Sequence, residues 1–308
     1  MTMVARTRRR RWAGSIVAAL LLGEGLARYY ISAPLDILRR SPDPALLFEL
    51  KPGRYISDGY FTRTDPVEYV VDQRGCRVGE ADPLPVGPAV IFLGSSMVFG
   101  IGVDAHDMIS EAARREVRER RPGLDLIPLS CSVPGYNLVQ TLRYAELALE
   151  RKEARAVALV VMPNHARVAY DWTRLVPSSP TLHWLTAHSR LARLGYLYSA
   201  IQQTRDIRPP PIPADELRAA LDRFAAAVHA TSAQVQIFPV DTFDHPDVDL
   251  VAELAARGLP ALTIQPPPAE RPYVLSDGEH WSPEGVRFIV RQMAPALVAL
   301  VERSTAAR

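Results

Sequence analysis

The sequence predicts a three-layer α/β/α domain built on a parallel sheet, and three observations lead to this prediction. Short continuous apolar runs, beginning with AVIFLG at Ala89, are typical of strands buried on both faces. Helical stretches alternate with these runs, as expected when helices connect parallel strands. The chain has 308 residues, of which 48% are hydrophobic, so it is long enough to bury one large core.

The first half of the predicted domain follows a regular order. AVIFLG is predicted to be a strand, and HDMISEAARREVRERR is predicted to be a helix. LDLIPLS is the next strand, NLVQTLRYAELALERK the next helix and ARAVALVVMPN the third strand. The alternation then stops at about residues 165–213, where we expect a helical insertion that ends in the stiff segment RPPPIP.

The alternation resumes after this insertion. ADELRAALDRFAAAVHA predicts a helix with its large apolar residues on one face. VQIFPV predicts a strand, residues 248–257 a helix, and ALTIQ a short last strand. In the final helix, Ser282 is the expected N-cap and Pro283 the expected first residue.

The N-terminal residues predict a membrane anchor. Five arginines lie before an apolar run from Trp12 to Gly23, a charge asymmetry typical of an exported or anchored protein with a cytoplasmic N-terminus. We expect residues 1–33 to be a basic N-terminus and signal anchor, and a cleaved signal or a cytoplasmic amphipathic start stays open. Residues 34–88 are predicted to be an irregular arm, and residues 89–308 the main domain.

Composition argues against several classes of partner. The net charge is +2, and the body of the chain has no basic stripe with interleaved aromatics, so we expect no nucleic acid. Cys76 and Cys131 lack the spacing of a metal or redox motif, and the sequence leaves open whether they form a disulfide or stay free. Asp241, Asp244 and His245 lie close together, but no further set of well-spaced ligands supports them. We therefore expect no metal site.

Polar residues follow the apolar runs, where ligands bind to an open parallel sheet. A serine becomes an effective nucleophile when a base takes its proton and a carboxylate orients that base. Backbone N–H groups and side-chain amides stabilise the oxyanion that develops. The candidates are Ser95 and Ser96 after the first run, Gly135 and Asn137 after the second, Asn164 and His165 after the third, and Asp277 and His280 near the C-terminus.

The chain contains four short blocks in this order: Gly94-x-Ser96, Gly135, Asn164 and Asp277-x-x-His280. Together they resemble the SGNH, or GDSL-type, hydrolase superfamily. The resemblance covers the chain from about Ala89 to the C-terminus. It implies that Ser96 is the nucleophile, that His280 is the base and that Asp277 orients this base. The implied oxyanion donors are the Ser96 N–H, the Gly135 N–H and the Asn164 amide. The implied fold is flavodoxin-like with about five parallel strands, and the implied reaction needs no cofactor.

The chain departs from the family pattern at two positions. Ser95 replaces the aspartate of the family's Gly-Asp-Ser, and Met162 begins a block that usually reads Gly-x-Asn-Asp. The last block, with Trp281 and SPEG after His280, is the most specific. The anchor, FELKPG and VVDQRGCR also resemble membrane-anchored bacterial members. His165 is expected to be a supporting or surface residue.

The sequence and the resemblance together predict a serine ester hydrolase that works through an acyl-enzyme intermediate. We expect a membrane-anchored protein with an extracytoplasmic (periplasmic) catalytic domain, or a cleaved secreted form. The expected substrate is an acyl ester of a cell-envelope glycan or lipid. Two alternatives stay open, an O-acyltransferase on cell-surface glycans and an envelope protein that binds glycan or a partner without catalysis.

Overall fold

A computed structural model describes most of the chain. The described residues are 15, 17–27, 37–57, 66–79, 87–151, 155–167, 179–204, 210–241, 243, 245–276 and 278–306. They fall into two compact units. The helical unit comprises Met1–Pro34 and Thr173–Arg208, and the sheet unit comprises Leu35–Trp172 and Pro209–Arg308.

The described strands are β1 Leu38–Arg40, β2 Phe48–Leu50, β3 Gly53–Ser57, β4 Val67–Val71, β5 Ala89–Leu93, β6 Ile127–Ser130, β7 Ala156–Val161 and β8 Gln234–Pro239. Residues 17–27 are helical and are named α1. The other helices are α2 Ser96–Phe99, α3 Ile109–Arg120, α4 Leu138–Glu150, α5 Pro180–His188, α6 Arg190–Thr204, α7 Ala214–His229, α8 Leu250–Ala256 and α9 Pro283–Ala306. Two short 3₁₀ turns, η1 Ala105–Asp107 and η2 Pro163–Ala166, complete the set.

The central sheet of the sheet unit has the strand order β6-β5-β7-β8, and every pair in it is parallel. Its middle strand β7, AVALVV, is buried along its whole length. A strand covered on both faces needs an apolar residue at every position, and this is why the run shows no alternation. The predicted parallel sheet with flanking helices is therefore confirmed.

Helices cover both faces of this sheet. On one face, α4 and α7 pack with buried residues such as Leu142 and Phe224. On the other face, α3 and α9 pack with Val117 and Ile289. Strand residues alternate between the two clusters, since Ile91 lies in the first and Phe92 in the second. The result is a three-layer α/β/α arrangement.

The prediction of about five strands was wrong, because the described part of the sheet has four. The segment ALTIQ meets β8 through only two isolated parallel bridges, Ile237 to Ala261 and Val240 to Ile264. Pro239 lies between these two bridges and has no N–H to donate to a neighbouring strand. The ladder is therefore interrupted at Pro239, and the segment stays too short to count as a strand.

The N-terminal arm is more regular than the sequence predicted. β1 pairs with β2, and β3 pairs with β4, in both cases antiparallel. In β4, Val67, Tyr69 and Val71 are buried while the residues between them are not. Beyond β4, Arg77 forms bridges with Val71 and with Ser130 at the end of β6. The arm is thereby hydrogen-bonded to the edge of the central sheet.

A disulfide fixes the same junction covalently. Cys76 and Cys131 are bonded across 55 residues of chain. Their neighbours are also bonded, because the Arg77 N–H donates to the Ser130 carbonyl oxygen at 2.7 Å. The alternative of two free thiols does not hold in this structure.

The helical unit contains α1, α5 and α6. Glu24 of α1 binds the start of α6. Its carboxylate accepts hydrogen bonds from Ser189 Oγ at 2.9 Å, Arg190 N at 3.0 Å and Leu191 N at 3.1 Å. These donors include unpaired N–H groups at the start of α6, so Glu24 caps that helix from another element.

The predicted anchor lies only partly within the described residues, since residues 1–14, 16 and 28–36 fall outside them. Across the helices that the structure does describe, none has both the length and the apolar character needed to cross a membrane. Glu24 also interrupts the apolar run of α1, and this carboxylate is used for capping α6.

Candidate active site

The first part of the site is the sharp turn that follows β5. A side chain at Gly94 would place its Cβ 2.4 Å from Val98 Cγ2 and 3.1 Å from the Val160 carbonyl oxygen. Only a glycine fits this close approach between the chain, α2 and β7. The strand ends at Gly94 because the chain must turn there without a side chain.

The two adjacent serines of this turn differ in their exposure to solvent. Ser95, at the N-cap position of α2, is completely buried. Ser96 is the first residue of α2 and is partly exposed. The Ser96 carbonyl oxygen accepts hydrogen bonds from Gly100 N at 3.0 Å and Ile101 N at 3.1 Å. Of the two serines, Ser96 is therefore the one that is accessible from solvent.

The structure brings His280 to this hydroxyl. His280 Nε2 lies 3.0 Å from Ser96 Oγ, although 184 residues separate them in the sequence. A short hairpin holds the histidine, because Leu275 N donates to the His280 carbonyl oxygen at 2.8 Å and Ser282 N donates to the Tyr273 carbonyl oxygen at 3.0 Å. The next residue, Trp281, is buried in the core and anchors this hairpin.

The start of α9 follows the prediction. The helix begins at Pro283, and Ser282 Oγ accepts a hydrogen bond from Gly285 N at 3.3 Å. A proline at the first position costs no hydrogen bond there, because that N–H has no partner within the helix. The N-cap and the His280 hairpin are thus one continuous piece of chain.

Gly135 lies on the loop that follows β6. It has φ 86°, and Tyr136 N donates to the Val133 carbonyl oxygen at 3.2 Å. Proline followed by a glycine with positive φ is typical of a type II turn, so a glycine is required here. Ser132 Oγ donates to the Phe92 carbonyl oxygen at 3.2 Å, which holds this loop beside the end of β5.

Two predicted site residues are incompletely described. Asp277 lies outside the described residues, so its role as the orienting carboxylate stays a prediction. The backbone of Asn164 forms part of η2 after β7, and its side chain lies outside the description. The structure therefore brings Ser96 and His280 together and leaves the other two roles to experiment.

Asn137 has a structural role. Its side chain accepts a hydrogen bond from Gln140 N, and the Gln140 side chain accepts one from Asn137 N. This reciprocal pair is a capping box at the start of α4. The pattern Asn-x-x-Gln ahead of an apolar helix was a signal for it in the sequence.

His165 is fully buried, so of the two expected positions, supporting or surface, the surface position does not hold. Its Nδ1 accepts a hydrogen bond from Met162 N at 3.2 Å. Burial lowers the pKa of His165 from 6.5 to about 3, because the charged form is poorly solvated there. A neutral imidazole therefore supports η2, the turn that carries Asn164.

The loop with the suggested metal ligands is used for packing. His245 accepts a hydrogen bond from Asp247 N at Nδ1, and its Nε2 lies 2.7 Å from the Ile212 carbonyl oxygen. Asp244 lies outside the described residues. Among the residues that are described, no group of three histidine, cysteine or acidic side chains could hold a metal ion.

A serine hydroxyl in hydrogen-bond contact with an imidazole can perform nucleophilic chemistry. The imidazole accepts the hydroxyl proton as the oxygen attacks, and it returns the proton to the leaving group. Ser96 is partly exposed and lies at the carboxyl end of β5, where an open parallel sheet binds its ligands. The distance and the position are both those that such a step requires.

No family model matches the sequence, and no curated protein matches it. Several solved structures are similar to this chain over about 70% of its length. TesA is 12% identical over 69% of this chain and 99% of its own, with a TM-score of 0.44. A protein of the G-D-S-L family from Desulfitobacterium hafniense is 8% identical over 68% of this chain and 99% of its own, with a TM-score of 0.36. A family 3 carbohydrate esterase from Clostridium thermocellum is 12% identical over 70% and 100%, with a TM-score of 0.40.

In the four blocks of its sequence, the chain resembles the SGNH hydrolases.

The burial of His165 predicts a specific pH dependence of stability. The folded state keeps His165 neutral down to about pH 3, whereas the unfolded chain protonates it near 6.5. Between these values the unfolded state binds one more proton, so stability falls as the pH falls. The loss attributable to this residue approaches 1.4 kcal/mol per pH unit, an order-of-magnitude value.

Urea unfolding of the wild type and of His165→Asn between pH 4 and 8 measures this contribution. Asparagine retains an acceptor for the Met162 N–H but cannot titrate. The difference in free energy of unfolding between the two proteins should be constant above pH 7 and should change in favour of the variant below pH 6. Parallel curves over the whole range would contradict the buried neutral state.

Proposed function

We propose that the chain is a serine ester hydrolase that acts through an acyl-enzyme. The observation that carries this proposal is the 3.0 Å contact between Ser96 Oγ and His280 Nε2 at the carboxyl end of β5. His280 accepts the Ser96 proton as Ser96 Oγ attacks the ester carbonyl carbon. The tetrahedral intermediate collapses, the C–O bond to the alcohol breaks, and His280 gives its proton to the departing oxygen.

Water completes the cycle by the same steps. His280 takes a proton from the water as its oxygen attacks the acyl carbon, and Ser96 leaves with that proton when the acid is released. In both steps a negative charge develops on the carbonyl oxygen. The proposed donors to this oxyanion are Ser96 N–H, Gly135 N–H and the Asn164 amide. Asp277 is proposed to hold the imidazole in the tautomer that leaves Nε2 free to accept.

Kinetics on p-nitrophenyl esters test this proposal. The wild type should hydrolyse esters from acetate to longer acyl chains, and Ser96→Ala and His280→Ala should each lower kcat by at least about 10³-fold. Matched controls are Ser304→Ala, which changes a buried serine of α9, and His229→Ala, at the far end of α7. Both controls should retain kcat within about threefold, the range expected away from a catalytic site.

The outcomes separate hydrolysis from the two alternatives. A wild type that is inert toward every ester would contradict the esterase. One release of p-nitrophenol per chain without turnover would indicate an acyl-enzyme that waits for a hydroxyl acceptor, as in an O-acyltransferase. Equal rates in the wild type and Ser96→Ala would place the reaction elsewhere.

We further propose that the sheet unit works outside the cytoplasm. The support is the disulfide between Cys76 and Cys131, because such bonds persist in oxidising compartments and are rare in the cytosol. Acid quenching of expressing cells, alkylation of free thiols and mass measurement of the intact chain test this. The proposal predicts an unalkylated chain, and two alkylated cysteines would contradict it.

We propose as well that the helical unit binds an anionic membrane surface, and that the ester substrate is an envelope lipid or glycan. Large apolar side chains are exposed throughout this unit, including Leu21 at 69%, Trp184 at 60% and Tyr198 at 64%. Tyrosine and tryptophan favour the headgroup level of a bilayer, and arginines attract anionic lipids. Arg6 and Arg8–Arg11 lie a few residues before α1 in the sequence.

Sedimentation with phosphatidylglycerol–phosphatidylcholine vesicles tests this surface. Leu21→Gln combined with Trp184→Gln should lower the partition constant by at least about tenfold, since each buried apolar side chain contributes about 1.5–3 kcal/mol. The matched control is Val251→Gln with Leu262→Gln, because these apolar residues are exposed on the sheet unit. Equal binding by both double variants would contradict the assignment, and equal binding to neutral vesicles would contradict the role of the arginines.

A further inference from the structure

A buried arginine at the junction of the arm and the sheet is outside the hydrolytic chemistry described above. Arg77 follows Cys76 and is only 2% exposed. A charged side chain is rarely buried unless its hydrogen bonds are satisfied, because it loses the solvation of water. We therefore asked which groups bind the buried guanidinium.

The guanidinium of Arg77 binds the loop that follows the nucleophile helix. Nη1 donates to the carbonyl oxygens of Phe99 at 3.0 Å and Gly100 at 2.6 Å. Nη2 donates to the carbonyl oxygen of Val103 at 2.8 Å. One side chain thus holds three carbonyl groups within five residues of chain, which we name the 99–103 loop.

Two aromatic rings pack against the guanidinium. Its Cζ lies 4.4 Å from the ring centre of Tyr69 and 5.4 Å from that of Phe99. The two rings are stacked on each other with an interplanar angle of 20°. The hydroxyl of Tyr69 also accepts a hydrogen bond from Gly102 N at 2.8 Å. Strand β4 therefore contributes a second contact to the same loop.

The backbone of Arg77 is also held in place, in addition to its guanidinium. Its N–H donates to the Ser130 carbonyl oxygen, and the adjacent Cys76 is bonded to Cys131. Both partners lie at the carboxyl end of β6, on the strand that leads to the Gly135 loop. Arg77 thus connects the 99–103 loop to the edge of the sheet.

The 99–103 loop is bonded directly to the peptide of the nucleophile. Gly100 N and Ile101 N both donate to the Ser96 carbonyl oxygen. Arg77 Nη1 donates to the Phe99 carbonyl oxygen, and the N–H of the same peptide group, that of Gly100, donates to the Ser96 carbonyl oxygen. A single peptide group therefore lies between the guanidinium and the backbone of Ser96.

We propose that Arg77 is a positioning residue for Ser96: by clamping the 99–103 loop, it holds the serine in register with His280. This inference rests on the proposed esterase function and deepens it. Misplacing a nucleophile by about 1 Å can lower a rate about 100-fold. Loss of the clamp should therefore reduce kcat about 10- to 100-fold, with KM changed by less than about threefold.

Lysine cannot replace the arginine in this role. Three carbonyl groups are bound by the two arms of a planar fork that also stacks on Tyr69. An ammonium is a compact point charge that cannot span them or stack in that way. Arg77→Lys should keep the charge and still lose most of the clamp.

Arg77→Met and Arg77→Lys test the inference against Arg114→Met as a matched control. Arg114 is also buried, but its partner is Asp125 and it lies on α3, away from the 99–103 loop. Amide hydrogen exchange should accelerate at least about tenfold at Gly100 and Ile101 in both Arg77 variants. Exchange in β7 should change no more than it does in Arg114→Met.

Two results would overturn the inference. One is exchange at Gly100 and Ile101 that matches the Arg114→Met control. The other is faster exchange there with an unchanged kcat. If the wild type hydrolyses no ester, the esterase proposal fails, and hydrogen exchange still decides whether Arg77 clamps the loop. If Arg77→Met does not fold, Arg77→Lys decides by the same two readouts.

Discussion

The hydrogen bond between Ser96 Oγ and His280 Nε2 is the interaction on which the functional account depends. It joins the first turn after β5 to a hairpin just before the last helix, 184 residues later. Neither residue could reach the other without the sheet, because Ser96 is placed by β5 and α2, and His280 is placed by Trp281 packing into the core beneath α9. The contact between these two side chains is thus a consequence of how the two faces of the sheet are covered.

Several local constraints keep the serine in place. Gly94 lets the chain turn where any side chain would collide with Val98. The disulfide and the backbone of Arg77 join the N-terminal arm to β6, and the guanidinium of Arg77 joins it to the loop after α2. The arm is therefore part of the structure that supports the site. The helical unit is different in character, because it exposes large apolar side chains and its described polar contact at Glu24 caps α6.

Much of the fold could be predicted from local pattern. Buried parallel strands such as β7 are continuous apolar runs, and helices such as α4 and α9 carry their caps in the sequence. Ser96 and His280 were predicted as partners because their blocks resemble a known family, and the structure places them in contact. The fifth strand was predicted wrongly because Pro239, on β8, has no N–H to donate to the ALTIQ segment. This effect could not be seen in the sequence, because it depends on which segment lies beside β8.

Features that depend on distant contacts could not be predicted. Cys76 and Cys131 had no spacing that favoured a bond over free thiols, since 55 residues separate them. The burial of His165 and the carbonyl partners of Arg77 come from three-dimensional packing, and a single sequence contains no signal for either. Asp277 and the side chain of Asn164 keep the roles that the family resemblance implies, as predictions.

The most direct test of the central claim is covalent labelling of the intact protein with a fluorophosphonate, followed by peptide mass spectrometry. Such a reagent modifies a serine only when a neighbouring base activates its hydroxyl. The account predicts one modified peptide with the label on Ser96, and labelling that is lost in Ser96→Ala, strongly slowed in His280→Ala and retained in Ser95→Ala. An unlabelled wild type, or a label on Ser95, would contradict it.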